Sequence, residues 1–214
     1  MSDSIESSQG GYLELIIGPM FSGKTSRIVE IYKQCIFCNI SVAVINHVID
    51  NRYDVDLLST HDKIKIPCIK SNSLTKIWKN KENYHSLNEQ HSFNENNVYY
   101  DNLHKSNVIL INEGQFFEDL FDNVNDMINC GKKVYICGLD GDFERKKFGT
   151  ILDLIPLCDK VTKFTSLCSL CKNGNPGIFS MRLTNEKTQT IIGSENYIPV
   201  CRKCYNKNND LNIF

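Results

Sequence analysis

The sequence predicts an α/β fold with a mainly parallel sheet and a small metal-anchored unit towards its C-terminal end. Three observations predict it. Apolar runs of strand length at 12–17, 41–46, 108–111 and 133–137 alternate with stretches of helical periodicity, as in successive βα units. The first run leads directly into Gly18-Pro19-Met20-Phe21-Ser22-Gly23-Lys24-Thr25, which satisfies G-x-x-x-x-G-K-[ST]. Further on, Cys168-x-x-Cys171 and Cys201-x-x-Cys204 form two closely spaced thiol pairs.

Bulk properties narrow the class. A chain of 214 residues suits one domain, or one domain with a small appendage. With 41% hydrophobic and 23% charged residues it has enough apolar matter for a sizeable core. The formal net charge of −1 argues against a protein whose main task is to grip a nucleic-acid backbone, so no nucleic acid is expected as partner. No apolar run is long enough to span a bilayer, and no membrane partner is expected. Residues 1–10 are polar and Ser-rich, unlike a secretory leader, and are expected to form a mobile arm. Ten cysteines without such a leader imply a reducing, cytoplasmic setting in which Cys pairs signal metal or catalysis.

Strand, glycine loop and amphipathic helix are the context that turns the 18–25 pattern into a nucleoside triphosphate site. Gly18 and Gly23 let the backbone curl so that N–H groups face phosphate oxygens, and the helix N-terminus adds partial positive charge. Lys24 is expected to reach the β- and γ-phosphates, and the Thr25 hydroxyl to ligate Mg²⁺. Ile28, Val29, Ile31, Tyr32, Cys35 and Ile36 then recur at helical spacing. Cys35-x-x-Cys38 closes this helix and reads as packing or a helix end. The strand at 41–46 delivers Asp50 and Arg52 to a strand end, where ligands of open α/β sheets sit. Arg52 is either a surface charge or a clamp on transferring phosphate.

Residues 70–107 are rich in Asn, Lys, His, Glu and Tyr and read as a polar insert, with a helix near 74–81. The strand at 108–111 runs into Asn112-Glu113-Gly114-Gln115, making Glu113 the carboxylate available near Mg²⁺ and a nucleophile. The alternative for Glu113 is an acid paired with a helix dipole. Phe116, Phe117, Leu120, Phe121, Val124, Met127 and Ile128 are expected on the inner side of the following helix, which stops at Gly131. The strand at 133–137 ends in Leu139-Asp140-Gly141-Asp142-Phe143, a candidate ligand-lining loop. On spacing alone Phe143 and Phe148 suit core as well as pocket. A short helix at 151–157, ended near Pro156, and a strand at 161–165 complete a P-loop domain over residues 11–165. Cys168, Cys171, Cys201 and Cys204 supply four thiolates for a closed, structural Zn²⁺ site that pins the long loop between the pairs. Residues 166–205 form that unit, and 206–214 a polar tail.

These motifs together resemble the type II thymidine kinase family, which includes animal cytosolic, bacterial and poxviral enzymes. The resemblance rests on 18–25, 50–53, Thr60-His61-Asp62, Glu113-Gly-Gln-Phe-Phe117, 139–143, Phe148-Gly149, both cysteine pairs and Cys201-Arg-Lys-Cys-Tyr205, and covers nearly the whole chain. It implies a RecA-like domain with a zinc-anchored lasso closing over a nucleoside, and transfer of the γ-phosphoryl of ATP to the 5′-hydroxyl of thymidine. By resemblance, Glu113 is the general base and Arg52 steadies the transferring phosphate beside Asp50. Asn112 and Gln115 count with the nucleotide-side residues. Met20, Phe116, Leu139, Phe143, Phe148, Ser180, Thr190, Ile191 and Tyr197 surround the nucleoside. The family further implies a homotetramer or dimer and feedback inhibition by thymidine triphosphate.

Several positions depart from the family pattern. Asn112 replaces an Asp and predicts weaker Mg²⁺ affinity. Ser180 replaces a Thr near the base methyl, Ile192 replaces a Gly, and the 70–107 and 171–179 stretches are longer than usual. A competing class, a P-loop ATPase whose zinc ribbon grips nucleic acid, is disfavoured by the near-neutral charge and by Glu113-Gly-Gln-Phe-Phe in place of a motor's acidic pair.

Overall fold

The computed structural model describes residues 10–50, 57–60, 62–79, 95–186, 188–190 and 193–210. Strand β1 (Tyr12–Ile17) passes through the glycine loop into helix α1 (Lys24–Phe37). Next come β2 (Val42–His47), the hairpin β3 (Leu57–Ser59) and β4 (Lys65–Pro67), then β5 (Ile69–Ser71), α2 (Leu74–Trp78) and α3 (Glu95–Lys105). Strand β6 (Val108–Asn112), helix α4 (Leu120–Asn129), strand β7 (Lys133–Gly138) and strand β8 (Lys160–Lys163) complete the main body. The C-terminal unit is built from β9 (Ser166–Leu167), β10 (Pro176–Gly177), β11 (Phe179–Arg182), β12 (Tyr197–Val200) and α5 (Arg202–Asp210).

Six strands form one sheet in the order β5-β2-β6-β7-β1-β8, and every pairing is parallel. Their near-continuous apolar runs follow from burial on both faces. On one face Leu13, Leu15, Ile45, Ile109, Ile111 and Ile136 pack against α2, α4 and the 3-10 helix Ile151–Leu157. On the other, Ile16, Val44, Leu110 and Cys137 meet Ile28, Val29, Ile31 and Cys35 of α1. The alternation is the period-2 rule of a strand. Cys168, Val200, Cys201 and Tyr205 form a third, separate cluster.

Three expectations are corrected. Helix α4 starts at Leu120, not at Phe116, which lies in the 3-10 turn Gly114–Phe116. Phe121, about 100° round the helix from Leu120, falls at the flank of the buried stripe and is 38% exposed, while Phe117, Leu120, Val124 and Met127 are fully buried. The short helix at Ile151–Leu157 is of the 3-10 type and ends one residue past Pro156, as expected. The last strand of the sheet is Lys160–Lys163, a residue earlier than expected at its start. The described ends of the polar 70–107 stretch also carry core: Leu74, Ile77, Trp78 and Leu103 belong to the main cluster. The Trp78 indole N–H donates to Asp126 Oδ2 at 2.6 Å, and Asp119 caps α2 by accepting from Ser73 Oγ and the Leu74 and Thr75 N–H groups. Burial alone would raise the Asp119 carboxyl, but these hydrogen bonds outweigh it and hold it below its ordinary value. His85 and His91 lie outside the described residues. No helix among the described residues is long and apolar enough to cross a membrane.

Candidate active site

The C-terminal ends of β1, β2, β6 and β7 and the C-terminal unit enclose one cavity. Its lining includes Met20 to Thr25, Asp50, Glu113, Gln115, Leu139, Ser180 and Tyr197. The glycine loop owes its shape to Gly18 (φ 148°): a side chain there would collide with the Phe164 carbonyl packed beneath. Within the loop, Lys24 Nζ donates to Pro19 O at 2.6 Å and Ser22 Oγ to the same carbonyl at 2.8 Å. Helix α1 opens at Lys24, so its N–H groups and positive dipole end face the cavity.

Glu113 follows β6 in the left-handed region (φ 55°), an uncommon conformation for a side chain of this kind. The turn aims the carboxylate at Gln115, whose Nε2 donates to Glu113 Oε2 at 2.7 Å. Gln115 is fixed in turn because its Oε1 accepts the Leu139 N–H at 2.9 Å. Gly149 lies against the Gln115 backbone, where any added Cβ would collide with the carbonyl. Glu113 stands at the N-cap of the 3-10 turn Gly114–Phe116 without a side-chain capping hydrogen bond.

Asn112 is fully buried at the centre of a polar chain. Its Oδ1 accepts from Cys137 Sγ at 2.8 Å and lies 3.5 Å from Thr25 Oγ1. Its Nδ2 donates to Asn46 Oδ1 at 2.9 Å, and Asn46 Nδ2 donates to Asp50 Oδ2 at 3.2 Å. Burial pushes the Cys137 thiol up to about 12, with the nearby Glu113 charge adding to it, so Cys137 serves this chain as a neutral donor. His47 sits beside the site, its ring 4.8 Å from Phe117 and 5.6 Å from Phe116. Burial lowers its pKa against the opposing pull of Glu113 and Asp119, and its Nδ1 accepts the Ile49 N–H.

Met20, Phe116, Leu139, Phe143, Phe148, Ser180, Thr190 and Tyr197, all expected around a nucleoside, line the cavity together. Phe143 and Phe148 are thus pocket residues. Phe116 meets Phe148 edge-on at 5.3 Å. Ser180 reaches across to the glycine loop, where its Oγ accepts the Met20 N–H at 2.9 Å. Arg52, His61, Ile191 and Ile192 lie outside the described residues. Sequence reading missed Asn46, His47, Cys137, Arg182 and Gln189. None carries a motif, and only position at a strand end could have singled out Asn46 and His47.

The four expected cysteines converge, with all Sγ atoms within 4.8 Å of one another. Four thiolates around a tetrahedral ion at ~2.3 Å would stand roughly 3.8 Å apart, so the set fits a metal with little movement. Burial pushes the Cys168 thiol up, but the N–H groups of Cys171, Cys201 and Leu170 pull it further down, to about 6. Cys204 moves the other way, to about 12, through desolvation and the three neighbouring thiols. Four thiolates packed this closely repel one another, and a cation relieves that repulsion.

A family model for thymidine kinase matches residues 11–94 and 81–205. A rice protein named "Thymidine kinase" is 40% identical over 201 residues, covering 92% of this chain and 67% of the rice protein. The "Thymidine kinase" of Yaba monkey tumor virus is 37% identical over 95% of this chain and 99% of its own. "Thymidine kinase a" of Arabidopsis thaliana is 38% identical over 94% of this chain and 77% of its own.

Proposed function

The chain belongs to the thymidine kinase family, and on that premise we propose that it transfers the γ-phosphoryl of ATP to the 5′-hydroxyl of thymidine, and of deoxyuridine, with Glu113 as general base. The observation that carries this reading is the Glu113 carboxylate, held by Gln115 in the same cavity as Lys24 and the C-terminal unit. Glu113 takes the 5′-OH proton as that oxygen bonds to the γ-phosphorus and the bond to the ADP oxygen breaks. Lys24 exchanges the Pro19 carbonyl for phosphate oxygens, and Arg52 steadies the group in flight. Thr25, Asn112 and Asp50 are the groups that would hold Mg²⁺, which neutralises phosphate charge when bound. Phe116, Phe143, Phe148 and Tyr197 sandwich the nucleoside, Thr190 and Ile191 read the pyrimidine edge, and the closed lid excludes water. The four cysteines hold a structural Zn²⁺ that anchors this lid.

We assign residues 11–165 to the kinase body and 166–205 to the zinc unit. Thymidine triphosphate as feedback inhibitor, a homotetramer and a cytoplasmic setting complete the proposal.

The test is phosphoryl transfer from Mg²⁺-ATP to thymidine, deoxyuridine, deoxycytidine and deoxyguanosine. Monophosphate is expected from the first two only. Absence of product from all four, with ATP still bound, would overturn the reading.

Asn112 carries a second prediction. A carboxylate in its place adds the charge expected to hold Mg²⁺ but loses the Nδ2 donor to Asn46, and with it the bridge to Asp50. Asn112→Asp should therefore lower the Mg²⁺ concentration for half-maximal rate and cost about 1–3 kcal/mol of stability for the mismatched buried group. Mg²⁺ titration of the rate and denaturant melts read the two effects separately. An unchanged Mg²⁺ requirement would remove Asn112 from the metal's surroundings.

A further inference from the structure

Strand β11 sends Ser180 and Arg182 to the same buried face, because alternate residues of a strand share a side. Ser180 goes to the glycine loop. Arg182 stays within the C-terminal unit, and its surroundings are unusual for a buried cation. Nη1 donates to the carbonyls of Glu186 at 2.8 Å and Thr188 at 2.5 Å. Nη2 donates to the Gln189 carbonyl at 2.9 Å and to Tyr197 Oη at 2.6 Å. The guanidinium carbon stands 3.6 Å from the centroid of Phe143. These acceptors are three carbonyls and a phenol, with no carboxylate among them. Arg182 Nε, also buried, has no hydrogen-bond partner among the described residues.

A buried charge matched only by neutral acceptors is a costly way to gain stability, and an apolar side chain would fill the same space more cheaply. What a guanidinium supplies here is a planar fork that fixes several acceptors in one geometry. The acceptors are the backbone of the segment over the cavity and the tyrosine that lines it. The same segment has a second tie, since Gln189 Nε2 donates to Asp142 Oδ2 at 2.8 Å. Asp142 is itself held by the Glu144 and Lys146 N–H groups on its other oxygen.

We infer that Arg182 is the positioning residue of the nucleoside lid: it sets the carbonyls at 186, 188 and 189 and the Tyr197 ring as one body over Phe143. This rests on the nucleoside kinase reading above. Arg182 reaches neither the glycine loop nor the cysteines through any of these bonds, so its effect falls on the nucleoside rather than on ATP or the metal.

The experiment is steady-state kinetics of Arg182→Met and Arg182→Lys against thymidine and ATP separately, with metal content and melting temperature on the same samples. Both variants should raise the thymidine KM by roughly 20-fold, the scale of losing charge-assisted hydrogen bonds. The ATP KM should stay within about twofold, and the metal content should equal that of the parent chain. Lysine should not rescue, because an ammonium cannot span four acceptors in a plane. Should Arg182→Met fail to fold, Tyr197→Phe, which deletes one of the four bonds, should raise the thymidine KM by about 3-fold with the ATP KM unchanged. A thymidine KM within about twofold of the parent in Arg182→Lys, equal rises for both substrates, or loss of metal would overturn the inference. A parent chain that phosphorylates no nucleoside would instead overturn the reading it rests on.

Discussion

Glu113→Gln should lower kcat by about 10³-fold while leaving thymidine affinity within about threefold. The size follows from the 10²–10⁴-fold contribution of a positioned general base. The split between rate and affinity follows from the geometry. A glutamine in place of Glu113 retains an oxygen to accept the Gln115 Nε2–H, so the side chain keeps its anchor and the cavity its shape. The left-handed backbone at this position is equally open to both residues. What is lost is the capacity to take a proton, which matters in the transition state and hardly at all in the ground-state complex. Single-turnover rates and calorimetric thymidine binding measure the two quantities independently. A variant retaining a tenth of the parent turnover would remove Glu113 from the role of base, whereas parallel losses of rate and binding would make it a binding residue.

The variant also separates what the chain displays in its sequence from what it hides. The glycine loop, the two cysteine pairs and the strand leading to Glu113 are local: each is a short spacing whose chemistry requires neighbours in sequence. The parallel sheet follows from the apolar runs for the same reason. Gln115 stands in a recognisable segment, yet nothing in its spacing shows that one end of its amide holds Glu113 and the other the start of the 139–143 loop. That role is tertiary. Asn46 and Cys137 were invisible because a buried polar chain has no periodicity of its own: their partner, Asn112, is 66 residues from the first and 25 from the second. Arg182 was invisible for the opposite reason, since an arginine in what reads as a long loop between the cysteine pairs passes for a solvated charge until its acceptors are assembled around it. The misplaced Phe121 is an error of width rather than phase. Leu120, Val124 and Met127 are buried as expected, and Phe121, about 100° from Leu120 round the helix, lies just beyond the stripe they define.

Cys168→Ser should abolish metal binding and reduce kcat/KM for thymidine by at least roughly 100-fold, while the main body still melts as a cooperative unit. The C-terminal unit has little else to hold it. Its hairpins pair only two and four residues, below the size at which a hairpin stands alone in water. Its buried apolar cluster is small and centred on the cysteines themselves. A unit of this size, about 40 residues, ordinarily needs a metal or disulfide to fold, and here no two of the ten cysteines are joined in a disulfide. Serine leaves three thiolates and a poor fourth ligand, so the folding free energy drawn from metal binding is lost. The two larger clusters, built on the sheet and on α1, α2 and α4, contain none of the four ligands and should survive. The effect on ATP should be smaller but present, because Ser180 of β11 accepts the Met20 N–H of the glycine loop. Elemental analysis, calorimetric melting and substrate kinetics on one preparation would read all three consequences. A metal-free variant with undiminished thymidine turnover would show that the lid closes without its anchor, and would reduce the cysteine cluster to a stabilising device remote from the chemistry.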